Sequence, residues 1–205
     1  MAHTIEQAAA ATTLEETVVS TEDDEMRQIA RDHGGYAPFE RPAELATDDA
    51  TNKEVVAHAL DWYQERGQTF DTVCLLQVTS PFRIADDIDA AVRKLHDTDA
   101  ETVVSTNEYE TPPFWAVEND ESTGYLAPYF GEEYLWSKTQ TQSVPTLRHP
   151  NGAIFAADVD VFRREVNFYT DRTVEYEMPR ERALDIDEPF DLRLARALVE
   201  QEDSI

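Results

Sequence analysis

The sequence predicts an α/β fold built on a mostly parallel, doubly wound sheet. Three observations predict it. Helical and strand-like segments alternate through the first half of the chain, a pattern that lays helices on the faces of a parallel sheet through right-handed crossovers. Residues 71–78 are a nearly unbroken apolar run, which reads as a strand buried on both faces. Of 205 residues, 41% are hydrophobic and 10% aromatic, enough for one cored domain and too many for wholesale disorder.

The elements follow in order. Residues 4–11 are alanine-rich and helical, and 17–20 form a short β-branched run. Thr21 opens a helix with Asp24 as its capping-box partner and Met26, Ile29 and Ala30 turned inward, and Gly34-Gly35 stops it. Thr51 and Glu54 make a second capping box before Val55, Val56, Ala59, Leu60 and Tyr63, which recur at helical spacing. After the 71–78 strand come a helix over 84–96 and a strand over 101–106. Pro112-Pro113 then breaks the pattern; 114–118 and 125–129 read as a hairpin, and 136–150 is polar and irregular. So long a departure within a domain marks a lid or an oligomer arm. Order returns with a strand at 152–157, a helix at 159–165, strands at 173–178 and 183–186, and a terminal helix over 189–202. The chain therefore reads as a single domain over 1–205 with an insertion at 107–150. A helix feeding a strand stands at the front, so the opening strand of the first βαβ unit is missing and the chain reads as shortened.

Charge restricts the partners. Forty-three Asp and Glu face 17 Lys and Arg, a net charge of −26. Such a field repels nucleic acid and anionic membranes. Lysine occurs only at Lys53, Lys94 and Lys138, and an acidic, lysine-poor surface suits folding in concentrated salt, pointing to a halophilic source. The single cysteine, Cys74, excludes a disulfide framework and reads as a buried strand thiol. No apolar run reaches the ~20 residues of a membrane span, and the N-terminus lacks the regions of a signal peptide. A cytoplasmic location is expected.

Ligands of open α/β sheets bind beyond the carboxyl ends of the strands, and four segments fall there. In Gln77-Val78-Thr79-Ser80-Pro81-Phe82-Arg83, Gln77 offers a donor and an acceptor to a base edge; alternatively Thr79 and Ser80 only cap the next helix. Arg41, held extended by Pro42, is a candidate phosphate ligand or a surface ion-pair partner. Asn151-Gly152 marks a turn or presents Asn151 to a sugar. Asp185 and Asp187 share a face of an extended segment and could grip one Mg²⁺, although Asp187 could simply cap the helix beginning at Pro189. Pairs of the same pattern at Asp87/Asp89, Asp97/Asp99 and Asp158/Asp160 are the background expected of so acidic a chain.

Taken together, these segments resemble the acylneuraminate cytidylyltransferase family, the synthetases of CMP-sialic and other CMP-nonulosonic acids. The resemblance rests on His3-Thr4-Ile5 with Ala8, Val18-Val19-Ser20-Thr21, Arg41-Pro42-Ala43-Glu44-Leu45-Ala46, Leu76 to Arg83, Asn151-Gly152-Ala153-Ile154, and Asp185-Ile186-Asp187 leading to Pro189 and Asp191-Leu192. It implies a Rossmann-like nucleotidyltransferase that moves CMP from CTP to a nonulosonic acid such as N-acetylneuraminate or legionaminate, or to a related acid such as 3-deoxy-manno-octulosonate. Arg41, Gln77 and Ser80 would belong to the nucleotide pocket, with Thr51 or Asn52 beside it. Asn151 and Gly152 would adjoin the sugar acid, Asp185 and Asp187 would hold Mg²⁺, and 107–150 would be the arm of a homodimer. The family's opening strand and its glycine-, serine- and lysine-containing loop have no counterpart here. The resemblance thus leaves two readings: an upstream start makes Met1 internal, or the chain is a non-catalytic remnant that dimerises or binds sugar. Val78 and His149 replace the family's proline and arginine, and Arg148 is the neighbouring cation for the sugar carboxylate.

Overall fold

A four-stranded sheet organises the larger part of the molecule in the computed structural model, which describes residues 1–47, 49–136 and 140–202. Lys138 lies outside the described residues. Two compact units form, Met1–Ser105 with Asn151–Ile205, and Thr106–Pro150. In chain order the elements are α1 (Ala2–Ala10), α2 (Asp24–Asp32), α3 (Asn52–Gln64), β1 (Thr72–Leu75), α4 (Ala85–Asp97), β2 (Thr102–Glu108), β3 (Val117–Asn119), β4 (Leu126–Pro128), α5 (Glu132–Trp136), β5 (Arg148–Asp158), α6 (Val159–Glu165), β6 (Thr173–Glu177) and α7 (Pro189–Glu202).

The sheet order is β1-β5-β2-β6, and β5 runs antiparallel to β1 with Thr72 opposite Asp158 and Leu75 opposite Phe155. The sheet is therefore mixed within the expected α/β layering. Alternation along the strands divides the core between its faces. Ile154 and Ala156 of β5 join Ala8, Ile88, Ala91, Val92 and Leu95 from α1 and α4. Ala157, with Phe155 against it, joins Val56, Leu60, Val159 and Phe162 from α3 and α6. Each Val, Leu, Ile or Phe side chain so buried contributes about 1.5–3 kcal/mol, so the two helix layers are held by the faces of one strand.

Several sequence expectations are corrected. Of residues 71–78 only β1 is strand, and it is half-buried, because it closes the sheet order with β5 as its sole neighbour there. The 17–20 run makes a single parallel bridge, Val18 with Tyr36, rather than a strand. The cap of α2 is Asp23, which accepts from the Met26 N–H at 2.8 Å, while Thr21 Oγ accepts from the Asp23 N–H; the helix starts later than a Thr21–Asp24 box requires. Residues 183–186 do not pair into a sheet; they follow a 3-10 turn at Arg180–Arg182. Asn151-Gly152 lies inside β5 instead of turning the chain. The Thr51–Glu54 capping box forms as expected. Cys74 packs against the α1–α4 cluster, and burial pushes its thiol up to about 12.

Within Thr106–Pro150, β3 and β4 pair antiparallel, Val117 opposite Pro128, and Phe114 stacks on Tyr134 with centroids 4.6 Å apart. Tyr125, Leu126, Tyr129 and Phe130 remain exposed. Among the described residues no helix is long and apolar enough to cross a membrane.

Candidate active site

Three segments of the larger unit converge at Gly152. Its φ of +77° is a conformation that glycine adopts without the steric penalty of a side chain. A Cβ built there would lie 2.5 Å from Gln77 Oε1 and 3.5 Å from Asp185 Oδ2. The missing side chain is thus what lets the amide of Gln77 and the carboxylate of Asp185 approach one point on the backbone of β5.

Local chemistry fixes each segment. Asn151 is buried, and its Oδ1 accepts from Ser105 Oγ at 2.5 Å and from the Ala153 N–H at 3.1 Å. Ser105 Oγ in turn accepts from the Ile154 N–H at 2.8 Å. The Asn151 side chain therefore braces the irregularity in β5, using its oxygen inside the fold. The loop after β1 is pinned by Arg83, 1% exposed, whose Nη1 donates to the carbonyls of Gln77 at 3.2 Å and Ala153 at 2.6 Å. Burial pulls this guanidinium down to about 10, against the opposing pull of Cys74 and Asp87. Its Nε and Nη2 are buried without a hydrogen-bond partner, as is Ser80 Oγ.

The aspartate segment docks on that loop. The Ile186 N–H donates to the Thr79 carbonyl at 2.9 Å. Three residues before Asp185, Arg182 grips the fully buried Asp87 through Nε at 2.9 Å and Nη2 at 2.8 Å. Asp87 also accepts from Tyr176 Oη at 2.8 Å and the Ile84 N–H at 3.1 Å. Burial pushes the Asp87 carboxyl upward, but the Arg182 fork and these other donors outweigh it and hold it below the usual carboxylate range. Asp185 itself has no such company: its Oδ1 is buried and unpartnered. A hydrogen-bond acceptor sealed away without a donor fits a hard cation, which takes carboxylate oxygen directly. Asp187 is exposed, and it does not cap α7 with its side chain; Asp191 Oδ2 does that, accepting from the Asp187 and Glu188 N–H groups. Asp187 is left available as a second oxygen ligand. Among the described residues no group of three or more His, Cys, Asp or Glu is placed to hold a metal.

The other residues singled out from the sequence lie in separate networks. Arg41 donates from Nη2 to the Ser20 carbonyl and lies 3.8 Å from Glu22. Thr51 Oγ1 donates to Glu54 Oε2 at 2.8 Å in its capping box, and Asn52 is the exposed first residue of α3. Among the described residues none of these three hydrogen-bonds to Gln77, Gly152 or Asp185. Arg148, in the smaller unit, pairs with Glu108 at 3.2 Å.

Sequence reasoning passed over Arg83, Asp87 and Arg182 as site-forming residues. For Asp87 a signal existed. It sits four residues before Ala91 and eight before Leu95, on the inward stripe of α4, where a carboxylate must have partners. For Arg182 no local pattern distinguishes it from Arg180 two residues earlier.

The sequence matches the family described as Cytidylyltransferase over residues 1–204. The chain belongs to the cytidylyltransferase family. Among curated cytidylyltransferases it is 35% identical over 170 residues to the N-acylneuraminate cytidylyltransferase of Streptococcus agalactiae, covering 82% of this chain and 39% of that one. It is 34% identical over 197 residues to the Escherichia coli enzyme of the same name, covering 95% and 44%. The chain thus spans less than half the length of these relatives. The CMP-N,N'-diacetyllegionaminic acid synthase of Legionella pneumophila is 30% identical over 201 residues, covering 98% of this chain and 84% of that one. The cytidylyltransferase fold is shared with a CMP:2-keto-3-deoxy-manno-octonic acid synthetase solved with CTP, at a TM-score of 0.64 and 17% identity over 98% of this chain and 87% of that one. It is shared also with 4-diphosphocytidyl-2C-methyl-D-erythritol synthase of Anaerococcus prevotii, at 0.63 and 11% identity over 97% and 88%.

Proposed function

We propose that this chain transfers CMP from CTP to the anomeric hydroxyl of a nonulosonic acid, of the N-acetylneuraminate or legionaminate type, and releases pyrophosphate. The observation that carries the reading is the convergence of Gln77 and Asp185 on the bare backbone of Gly152. A donor–acceptor amide suited to a base edge and an unpartnered carboxylate suited to a cation on phosphate stand within one nucleotide's reach there. The curated relatives at 30–35% identity, named for acylneuraminate and diacetyllegionaminic acid, support the substrate class.

In this reading Gln77 contacts the nucleobase and Ser80, at the turn after β1, lines the nucleotide side. Arg41 approaches the phosphates, with Thr51 and Asn52 beside the nucleotide. Asn151 shapes the sugar side, and Gly152 gives it close access to the backbone. Asp185 and Asp187 hold Mg²⁺, which when bound neutralises phosphate charge and orients the triphosphate. The sugar oxygen attacks the α-phosphorus in line; a P–O bond forms, the bond to pyrophosphate breaks, and the hydroxyl proton leaves to solvent. The protein contributes mainly placement and fixed charge. A cation at Asp185 also resolves an electrostatic conflict, because two anionic substrates must meet inside a protein of net charge −26.

Thr106–Pro150 serves, in the same reading, as the arm of a homodimer, with Tyr125, Leu126, Tyr129 and Phe130 as its exposed apolar surface. The reaction requires no membrane, and a cytoplasmic location suits it. The test is pyrophosphate release from CTP with a panel of sugar acids, run with Asp185→Asn alongside. Release with a nonulosonic acid that D185N abolishes supports the assignment. Release that D185N leaves at the wild-type rate removes Asp185 from the mechanism.

A further inference from the structure

We propose that Asp87 and Arg182 are positioning residues for the Asp185 carboxylate, working as a fork that sets where that carboxylate stands relative to Gln77. This deepens the proposed function and rests on its reading of Asp185 as the metal-binding group. The argument begins with what Asp185 lacks. Its Oδ1 is buried and takes no hydrogen bond, so this oxygen contributes nothing to holding the side chain in place. Its neighbours must do so.

Two anchors bracket it. Downstream, the Ile186 N–H is bonded to the Thr79 carbonyl at 2.9 Å, tying the segment to the loop that carries Gln77. Upstream, Arg182 is bound to Asp87 by two N–H···O contacts of 2.9 and 2.8 Å. Three peptide units separate Arg182 from Asp185, at most about 10 Å of chain, so a displacement at the fork is passed on to the carboxylate. Asp87 is a firm base for such a fork. It occupies the third position of α4, whose Ile88, Ala91, Val92 and Leu95 are all buried in the core, and it is itself 0% exposed. Tyr176 Oη and the Ile84 N–H take further positions around its oxygens, which fixes the carboxylate plane.

The chemistry of the pair favours geometry over adhesion. A planar guanidinium meeting a carboxylate through two parallel bonds defines both distance and orientation. A buried ion pair is by contrast a poor source of net stability, since apolar replacements of similar volume frequently do as well. Arg182 Nη2 lies 2.8 Å from Asp87 Oδ1, with the aspartate fully buried and the arginine side chain 29% exposed.

The test separates the two roles by measuring Mn²⁺ binding rather than turnover. Free Mn²⁺ is followed by electron paramagnetic resonance as it is titrated into the full chain with CTP and, as the baseline, into CTP alone, so that binding to the protein is the excess over the nucleotide's own; thermal unfolding is recorded for each variant. Arg182→Lys keeps the charge and loses the fork; it is expected to weaken Mn²⁺ binding about ten- to a hundredfold, the usual cost of disturbing a ligand's support. Asp89→Asn, on the same helix but bonded to Thr12 and Thr13 instead of Arg182, is the destabilising control: its unfolding temperature falls while Mn²⁺ affinity stays at the wild-type value. The double variant Asp87→Leu/Arg182→Met replaces the ion pair with apolar side chains; its thermal transition shows that it folds, and it is expected to lose Mn²⁺ affinity as R182K does, which decides the matter even where R182K fails to fold. Wild-type Mn²⁺ affinity in the double variant overturns the inference and leaves the proposed function standing. Absence of Mn²⁺ binding by the wild-type chain with CTP overturns both.

Discussion

Replacing Gly152 by alanine introduces one carbon, and the structure gives the consequences in numbers. At φ +77° an L side chain costs about 1–2 kcal/mol in backbone strain. The new Cβ would stand 2.5 Å from Gln77 Oε1, far inside contact distance, while Asp185 Oδ2 at 3.5 Å is not crowded. Gln77 is therefore the group that must yield, and turning its amide away from a preferred rotamer costs about 0.5–1.5 kcal/mol. The sum, about 1.5–3.5 kcal/mol, corresponds to a fall in unfolding temperature of about 3–14 °C for a chain of this size. In the proposed function a displaced amide also forfeits its donor and acceptor toward the nucleobase. Two hydrogen bonds at about 0.5–1.5 kcal/mol each weaken CTP binding by about five- to 150-fold. The assay is calorimetric titration with CTP and Mg²⁺ together with thermal unfolding, in a cycle with Gln77→Ala. In the Q77A background the side-chain part of the cost disappears and only backbone strain remains. Equal destabilisation in both backgrounds, with CTP affinity unmoved by G152A, would refute the claim that these two residues share one site.

Three further outcomes follow from the same contacts. Asp185→Asn should unfold no earlier than wild type, because Oδ1 of this half-buried side chain has no hydrogen bond to lose, while pyrophosphate release collapses; a large loss of thermal stability would mean that the carboxylate has a structural role. Asp89 accepts from Thr12 Oγ1, Thr13 N–H, Thr13 Oγ1 and Arg93; burial pushes its carboxyl up, but the threonine donors outweigh that and hold it well below the usual range. Asp87 is depressed likewise. A lowered folded-state pKa means that their stabilisation is present above the unfolded-state value, about 3.9, and is lost as pH falls below it. Asp89→Asn should thus lower the unfolding temperature at neutral pH and flatten its fall on acidification, and an unchanged acid limb would dismiss the assignment. Finally, with a net charge of −26 the unfolding temperature should rise as KCl increases from about 0.1 M to about 1 M, over which the screening length falls from about 10 to 3 Å. A flat or falling response would argue that self-repulsion is not a significant burden on the fold.

Much of the fold was legible in the residues because it is encoded locally. Helical periodicity and a complete capping box announced α3, and the inward stripe of α4 is plain in Ile88, Ala91, Val92 and Leu95. What failed was the reading of strand-like runs. Residues 183–186 have the composition of a strand, but pairing is a long-range event, and here the Ile186 N–H finds the Thr79 carbonyl instead of a ladder. The cap of α2 moved to Asp23 because Thr21, Asp23 and Asp24 are all competent caps, and the exact start of the helix chose among them.

The site divides in the same way. Sequence by itself singled out Gln77, Gly152 and Asp185 as candidates and determined that the chain is strongly acidic. Only the tertiary structure decided that these three share one corner while Arg41 and Thr51 spend their polar groups on nearer neighbours. It also turned Asp87, one acid among 43, into the seat of Arg182. The physical reason is that a charge's role depends on what excludes water around it, and that exclusion comes from elements far apart in the chain.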